Sequence, residues 1–217
     1  MDYIINNEAT LRLSAFLFML SLIFIIELIF PIYVRRIESY KRWIINFSFV
    51  LINTLILRFL FPILAVSFAS ICIKYNIGIF NYFNFNGLFS VIVSFLFLDL
   101  GIWLQHLLFH KVGILWRFHK IHHSDEEVDF TTGIRFHPIE IIISMIYKFI
   151  LIAIIGPSIA LVIIFEIILN ASSIFNHGNI KIKKKYDLNF RKLIVTPNMH
   201  RIHHSEEEKD NILIRNS

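Results

Sequence analysis

The ten histidines of this 217-residue chain all fall between His106 and His204. They form five groups: HLLFH at 106–110, HKIHH at 119–123, RFHPIE at 135–140, FNHGN at 175–179 and HRIHH at 200–204. His106 and His110 stand at i and i+4, so on a helix they share one face. His119, His122 and His123 stand at i, i+3 and i+4 and converge in the same way, and His200, His203 and His204 repeat that spacing. Imidazole is a neutral nitrogen donor suited to iron, zinc and copper. Three convergent sets, with His177 added, predict a site for two metal ions. His137 or His177 alone would read as a hydrogen-bonded core histidine. Two copies of H-x-x-H-H and one H-x-x-x-H would not. Clustered imidazoles can also sense pH, but that function does not require the repeated spacing.

Polar neighbours extend the candidate site. Asp99 lies seven residues before His106, on nearly the same helical face. An ionisable residue inside a membrane helix is costly and is a functional candidate by default. Asp99 is therefore expected to orient a ligand histidine by accepting its second N–H. His137 and Glu140 both lie in RFHPIE, and Asn176 and Asn179 flank His177; their part in the site rests on the resemblance given below. Glu27 and Glu166 are intramembrane acids without a surrounding motif and read as structural, with Arg58 a possible partner of either.

The elements that must position these residues are membrane helices. The composition is 56% hydrophobic with 23 Phe, and the mean hydropathy is +0.66. A soluble domain is about 45–50% apolar, so the excess points to lipid as the solvent. Spans of about 20 apolar residues are found at Leu11 to Tyr33, Trp43 to Ile73, Leu88 to Phe109 and Pro138 to Phe175. The second is too long for one straight span and is expected to break at Arg58 and Pro62. The fourth is expected to turn at Gly156-Pro157 as a hairpin. The first has no basic run before it and reads as a retained anchor rather than a signal peptide. With this topology 17 of the 21 Lys and Arg residues fall on one side, together with every histidine group. The positive-inside rule makes that side cytosolic.

The net charge of +5 is thus a matter of membrane topology, and no nucleic-acid partner is predicted. The tract Lys181 to Lys185 reads as a solvated or headgroup-facing charge run. One cysteine, Cys72, excludes an internal disulfide and a Cys-based zinc or iron–sulfur site. It lies in an apolar run and reads as a core residue. The expected architecture is all-α, an integral membrane, multi-pass helical bundle with a cytosolic histidine-rich dimetal cap. Residues 1–217 form one domain, with N-terminal helices over 1–85, a histidine-motif core over 86–210 and a short tail over 211–217.

The ordered motifs DLGIWLQHLLFH, WRFHKIHHS, RFHPIE, NHGN and PNMHRIHHS resemble the fatty acid hydroxylase/sterol desaturase superfamily over roughly residues 88–210. The first 85 residues resemble it only as generic hydrophobic helices. The resemblance implies a non-haem pair of iron ions that uses O2 to hydroxylate or desaturate a C–H bond of a lipid, whether fatty acyl, sterol-like or carotenoid. It implies His106, His110, His119, His122, His123, His177, His200, His203 and His204 as ligands, with His137, in the family's H-P-x-E element, an additional ligand or a supporting group, and Glu140, Asn176 and Asn179 as supporting residues. Superfamily members usually continue past the last histidine motif with an Asn-Tyr/Phe-Gly and a Trp-Asp segment. Here the chain runs from Glu206 to Ser217, which implies a truncated tail and, as an alternative, metal binding without turnover. No flavin, haem or nicotinamide motif is present, so an external ferredoxin or cytochrome electron donor is expected.

Rival readings make different demands. A membrane metal transporter would favour ligands at mid-membrane, whereas these sit at helix ends. Bis-histidine haem ligation needs two isolated histidines on facing helices. A zinc metalloprotease of the H-E-x-x-H type lacks its motif here.

Overall fold

The computed structural model describes residues 2–35 and 39–205. Among the described residues the architecture is all-α, as expected, with one isolated antiparallel bridge between Pro31 and Ile180. The helices are α1 (Asp2–Asn6), α2 (Glu8–Ile29), α3 (Ser39–Leu60), α4 (Ala65–Lys74), α5 (Ile79–Tyr82), α6 (Leu88–Lys111), α7 (Gly113–His123), α8 (Pro138–Ile155), α9 (Ile159–Asn176), α10 (Lys184–Phe190) and α11 (Pro197–His203). A 3-10 turn spans Thr132–Ile134. Five stretches are long and apolar enough to cross a membrane: α2, the α3–α5 region, α6, α8 and α9.

Local chemistry sets the breaks. Of the two breaks expected in the second apolar run, only one occurs. α3 continues through Arg58 and ends at Leu60, because Arg is a good helix former. Pro62 lacks an N–H and disfavours a helical residue before it, so α4 begins only at Ala65. The predicted hairpin turn falls at Gly156, which caps α8 in the left-handed conformation at φ +71°. Ser158 Oγ then accepts from Leu161 N at 3.3 Å to start α9. Gly78 reaches this turn so closely that a Cβ there would lie 2.4 Å from Gly156 N.

α2 packs along α9, α4 against α8 and α9, and α6 against α8. One apolar cluster joins Ala69 and Cys72 of α4 to Leu98, Ile152 and Ile163, which places Cys72 in the core as expected. A second joins Leu20 and Ile23 of α2 to Phe130, Ile134, Ile174 and Ile180. The outward faces carry large apolar side chains such as Phe18, Leu96, Leu100 and Trp103, as lipid contact requires. The intramembrane acids are paired, and not with Arg58. Glu166 binds Lys148 at 2.6 Å and Arg12 at 3.0 Å, and Glu27 binds Arg35. The ends of α2, α6 and α9, and the starts of α3 and α8, meet at one end of the bundle. α7, the 124–137 loop and α11 close over that end.

Candidate metal centre

Each histidine is placed by a local device. His106 and His110 occupy the last turns of α6. Val112 is extended and both ends α6 and starts α7, so the chain folds back and α7 carries His119, His122 and His123 over α6. His177 is the residue at which α9 ends. Thr196 Oγ1 accepts from Met199 N at 3.4 Å, with Pro197 in the first helical position. This cap sets the phase of α11, which presents His200 and His203 with His204 at its end.

The structure brings nine of the ten imidazoles together. His122, His177, His200 and His204 offer atoms within 4.8 Å of one another, as do His106, His110 and His203, and His110, His119 and His123. His110 links the last two sets, so the nine residues divide into a group of four and a group of five. The rings of His123 and His204, one from each group, stack at 4.1 Å. His177 Nε2 lies 3.0 Å from His122 Nε2 and 2.9 Å from His200 Nε2. His200 Nε2 and His204 Nε2 are 3.3 Å apart, and His106 Nε2 and His203 Nε2 are 3.0 Å apart. Imidazole nitrogens bind a metal at about 2.0–2.1 Å. Two of them on one ion therefore stand about 3.0 Å apart at a right angle and about 3.4 Å apart at the tetrahedral angle.

The second nitrogens fix which lone pairs face inward. His122 Nδ1–H donates to the Arg135 carbonyl at 3.1 Å, and His177 Nδ1–H donates to the Ser173 carbonyl at 2.6 Å. His119 Nδ1–H donates to Glu140 Oε1 at 2.8 Å. A ligand histidine held from behind by a carboxylate or carbonyl is the arrangement of metal sites. His119 Nε2, His123 Nε2 and both nitrogens of His110 are buried without a hydrogen-bond partner. Buried polar atoms are normally satisfied, so these donors fit a cation better than they fit a polar core.

Burial, together with the neighbouring imidazoles, pushes His122 and His200 well below the ordinary histidine range. Burial lowers His177 to about 4 although its bond to Ser173 opposes the shift, and burial with His119 lowers His203 to about 4. At neutral pH these rings are uncharged and able to ligate.

The supporting residues fall differently from expectation. Asp99 is exposed and receives no hydrogen bond from a histidine among the described residues. Seven residues is two helical turns, a rise of about 10 Å, too far for a carboxylate to reach the His106 ring. The orienting carboxylate is Glu140. His137 is not aimed at the cluster. Its Nδ1 accepts from Ile139 N at 3.0 Å and caps α8, with Pro138 in the first helical position. The H-P-x-E element is thus a cap, a helix-starting proline and, at the third helical position, the acid that holds His119. Asn179 is fully buried but ties α2 to the site, accepting from Ile32 N and Tyr33 N and donating to the Tyr33 carbonyl. Asn176 Oδ1 is buried without a partner.

A buried polar hub was not singled out from the sequence. Asp125 accepts from Arg42 Nε at 2.6 Å and from Thr132 Oγ1 at 2.6 Å. Burial alone would raise the Asp125 carboxyl, but Arg42, Thr132 and Asn46 outweigh it and hold it below the usual range. Asn46 Oδ1 accepts from Arg135 Nη1 at 3.0 Å, and Arg135 Nε donates to the Ile121 carbonyl at 2.9 Å. The residue whose carbonyl holds His122 is thereby fixed to α3. The one visible signal was three acids, Asp125, Glu127 and Asp129, spaced two apart between histidine motifs.

Fold and site together define a membrane-embedded helical bundle capped by a histidine-rich centre able to hold two metal ions. The chain belongs to the fatty acid hydroxylase family, whose sequence profile matches residues 91–214, more than half its length. It is 28% identical to human alkylglycerol monooxygenase over 116 residues, which are 51% of this chain and 24% of that protein. Alkylglycerol monooxygenase of Caenorhabditis elegans is 33% identical over 113 residues, 50% of this chain and 20% of that protein. Ornithine lipid hydroxylase OlsE of Rhizobium tropici is 27% identical over 119 residues, 54% of this chain and 35% of that protein. The matched part therefore spans about a third or less of these relatives. No solved structure matches the chain. Residues 206–217, where the shortened tail was expected, lie outside the described residues.

Proposed function

We propose that the chain is a membrane lipid oxygenase that holds a pair of iron ions and uses O2 to oxidise a C–H bond of a lipid. The observation that carries this reading is the nine-imidazole cluster, in which the Nε2 lone pairs of His122 and His177 face each other with no proton between them. His122, His177, His200 and His204 would hold one ion, and His106, His110, His119, His123 and His203 the other. When bound, the two ions supply the activation of O2 that hydroxylation or desaturation of an unactivated C–H bond needs.

The chain's own residues do the rest. Glu140 and the carbonyls of Arg135 and Ser173 hold one proton on each of His119, His122 and His177, so that Nε2 stays free. Burial of those three rings excludes water from one side. His106, His110 and His203 are only partly buried, and they form the side from which a lipid tail approaches. The all-nitrogen, neutral set differs from the carboxylate-rich iron sites of soluble bundles. The bias of Lys and Arg toward this end of the bundle supports a cytosolic orientation, where a ferredoxin or cytochrome can deliver electrons.

The test pairs metal analysis of the purified protein with lipid mass spectrometry of cells with and without the chain. The reading expects iron at about two per chain and a lipid that gains one oxygen or loses two hydrogens. Metal flux into liposomes with no oxidised lipid would overturn it in favour of transport.

A further inference from the structure

Residues 181–195, between α9 and α11, are tied to the rest of the protein at few points: half-buried Ile182 packs on the second apolar cluster, and the Asp187 carboxylate is bonded to Thr196 and Asn198 at the start of α11. The segment leaves α9 beside the end of α2, where Lys181 N–H donates to the Phe30 carbonyl at 2.8 Å. Within it Asp187, 3% exposed, is the one buried residue, and it pairs with Arg191. Everything else on α10 and the following loop faces outward. Tyr186, Leu188, Phe190, Leu193, Ile194 and Val195 are all exposed, Leu193 at 88%. The exposed basic residues from Lys181 to Lys192 are interleaved with them.

Water is a poor solvent for such a surface. An isolated helix of one or two turns is unstable in water, and a contiguous apolar patch marks a binding surface. Large apolar side chains flanked by basic ones are the composition of a segment lying in the bilayer interface. An acidic soluble protein would match the lysines but not the apolar residues. An anionic leaflet matches both. The surface is also continuous with the lipid-facing belt, because Leu28, Ile29 and Phe30 at the end of α2 are exposed beside the start of the segment.

We propose that residues 181–195 form an interfacial anchor that binds anionic lipid headgroups through its lysines and sinks Phe190, Leu193 and Ile194 among the acyl chains. The anchor runs directly into Thr196, which caps α11. Its depth in the leaflet therefore sets the position of the helix that carries His200 and His203. The proposal holds whatever metal the histidines bind.

The test uses the whole protein in lipid nanodiscs, either zwitterionic or containing phosphatidylglycerol, and follows chymotrypsin cleavage after Tyr186 and Phe190. Each Lys near an anionic surface contributes about fivefold in binding, so cleavage in anionic discs is expected to slow by at least about tenfold. The triple variant Lys183→Gln, Lys184→Gln, Lys185→Gln should lose that protection. Leu193→Asp should be cut at similar rates in both kinds of disc. All the substituted residues are exposed, and unchanged thermal unfolding of the variants shows that the fold is intact. Equal cleavage of the unmodified protein in both discs would overturn the proposal. Protection in zwitterionic discs conferred only by an added acidic carrier protein would also overturn it, by assigning the surface to a protein partner.

Discussion

The Nε2 atoms of His122 and His177 face one another at 3.0 Å, and neither has a proton to place between them. Each ring's proton sits on Nδ1, donated to Arg135 and Ser173 carbonyls respectively. Two lone pairs at that separation repel in a site where both rings are nearly fully buried. A cation between them reverses the sign of the interaction. Removing metal by chelation is therefore expected to lower the thermal unfolding temperature, with recovery on adding back iron. A chelated protein as stable as the loaded one would show that the cluster is satisfied without an ion.

Substituting single members of the cluster separates the two groups. His122→Ala removes a member of the four-histidine group and His203→Ala a member of the five-histidine group. Each is expected to abolish turnover and to lower the iron content from about two towards one per chain. Full activity in either variant would contradict the assignment.

Glu140 stands behind His119 at 2.8 Å, 4% exposed. Carboxylates in this position fix the tautomer and basicity of a ligand ring, and their loss costs about 10–100-fold in metal affinity or activity. Glu140→Gln is expected to fall in that range while retaining the fold. Asp99→Asn is expected to leave metal affinity unchanged, since Asp99 is exposed two turns away from His106. A metal titration of both variants distinguishes the two acids.

His137 caps α8, so His137→Ala should cost about 1 kcal/mol in stability with no loss of bound metal. His137→Asn should restore most of the stability, because Asn is a good cap. Loss of one iron per chain in both variants would instead make His137 a ligand.

The candidate ligands were legible because each group is local, and i, i+3 and i+4 spacing on a helix survives any tertiary arrangement. The same holds for the Gly156 turn, where one glycine in the left-handed region suffices. What joins the groups was not legible. Asp99 was favoured for its face, but helical rise along the axis excludes it, while Glu140 reaches His119 only because α7 folds back over α6 and meets the start of α8. Asn46, Arg42 and Asp125 lie far apart in the chain and meet only through packing. The N-terminal helices, read as generic spans, supply Glu27, Arg42 and Asn46 to the support of the site.

The pH dependence of the metal-free protein follows from the lowered histidines. His177 and His203 are held at about 4 in the fold against an ordinary value of 6.5. Between those values the unfolded chain binds protons that the folded one does not, so stability falls as pH falls. The contribution is fully present above about 6.5 and is lost progressively towards 4. The unfolding temperature of the chelated protein should therefore drop between about pH 7 and pH 4.5. A flat profile would mean that the rings are solvated and not buried neutral.

Glu27 connects the α2 helix to the centre and gives the sharpest test of the N-terminal helices. Its Oε1 accepts from Phe130 N and Asn179 N, both at 2.8 Å, and its other oxygen binds Arg35. Asn179 lies two residues beyond His177, and Phe130 begins the turn that leads to Arg135. Glu27→Ala would strand two buried N–H groups and a guanidinium, a change that costs about 3–5 kcal/mol when a buried pair is broken. Glu27→Gln keeps an acceptor and should cost less. The effect should fall on the four-histidine group first, because His177 and His122 are the members of the cluster tied to these two segments. Iron per chain, measured for both variants in detergent at matched folding yield, should drop in the alanine protein and largely return in the glutamine protein. If the alanine variant folds and keeps its full iron, α2 is only a membrane anchor and the centre stands on residues 88–205 alone.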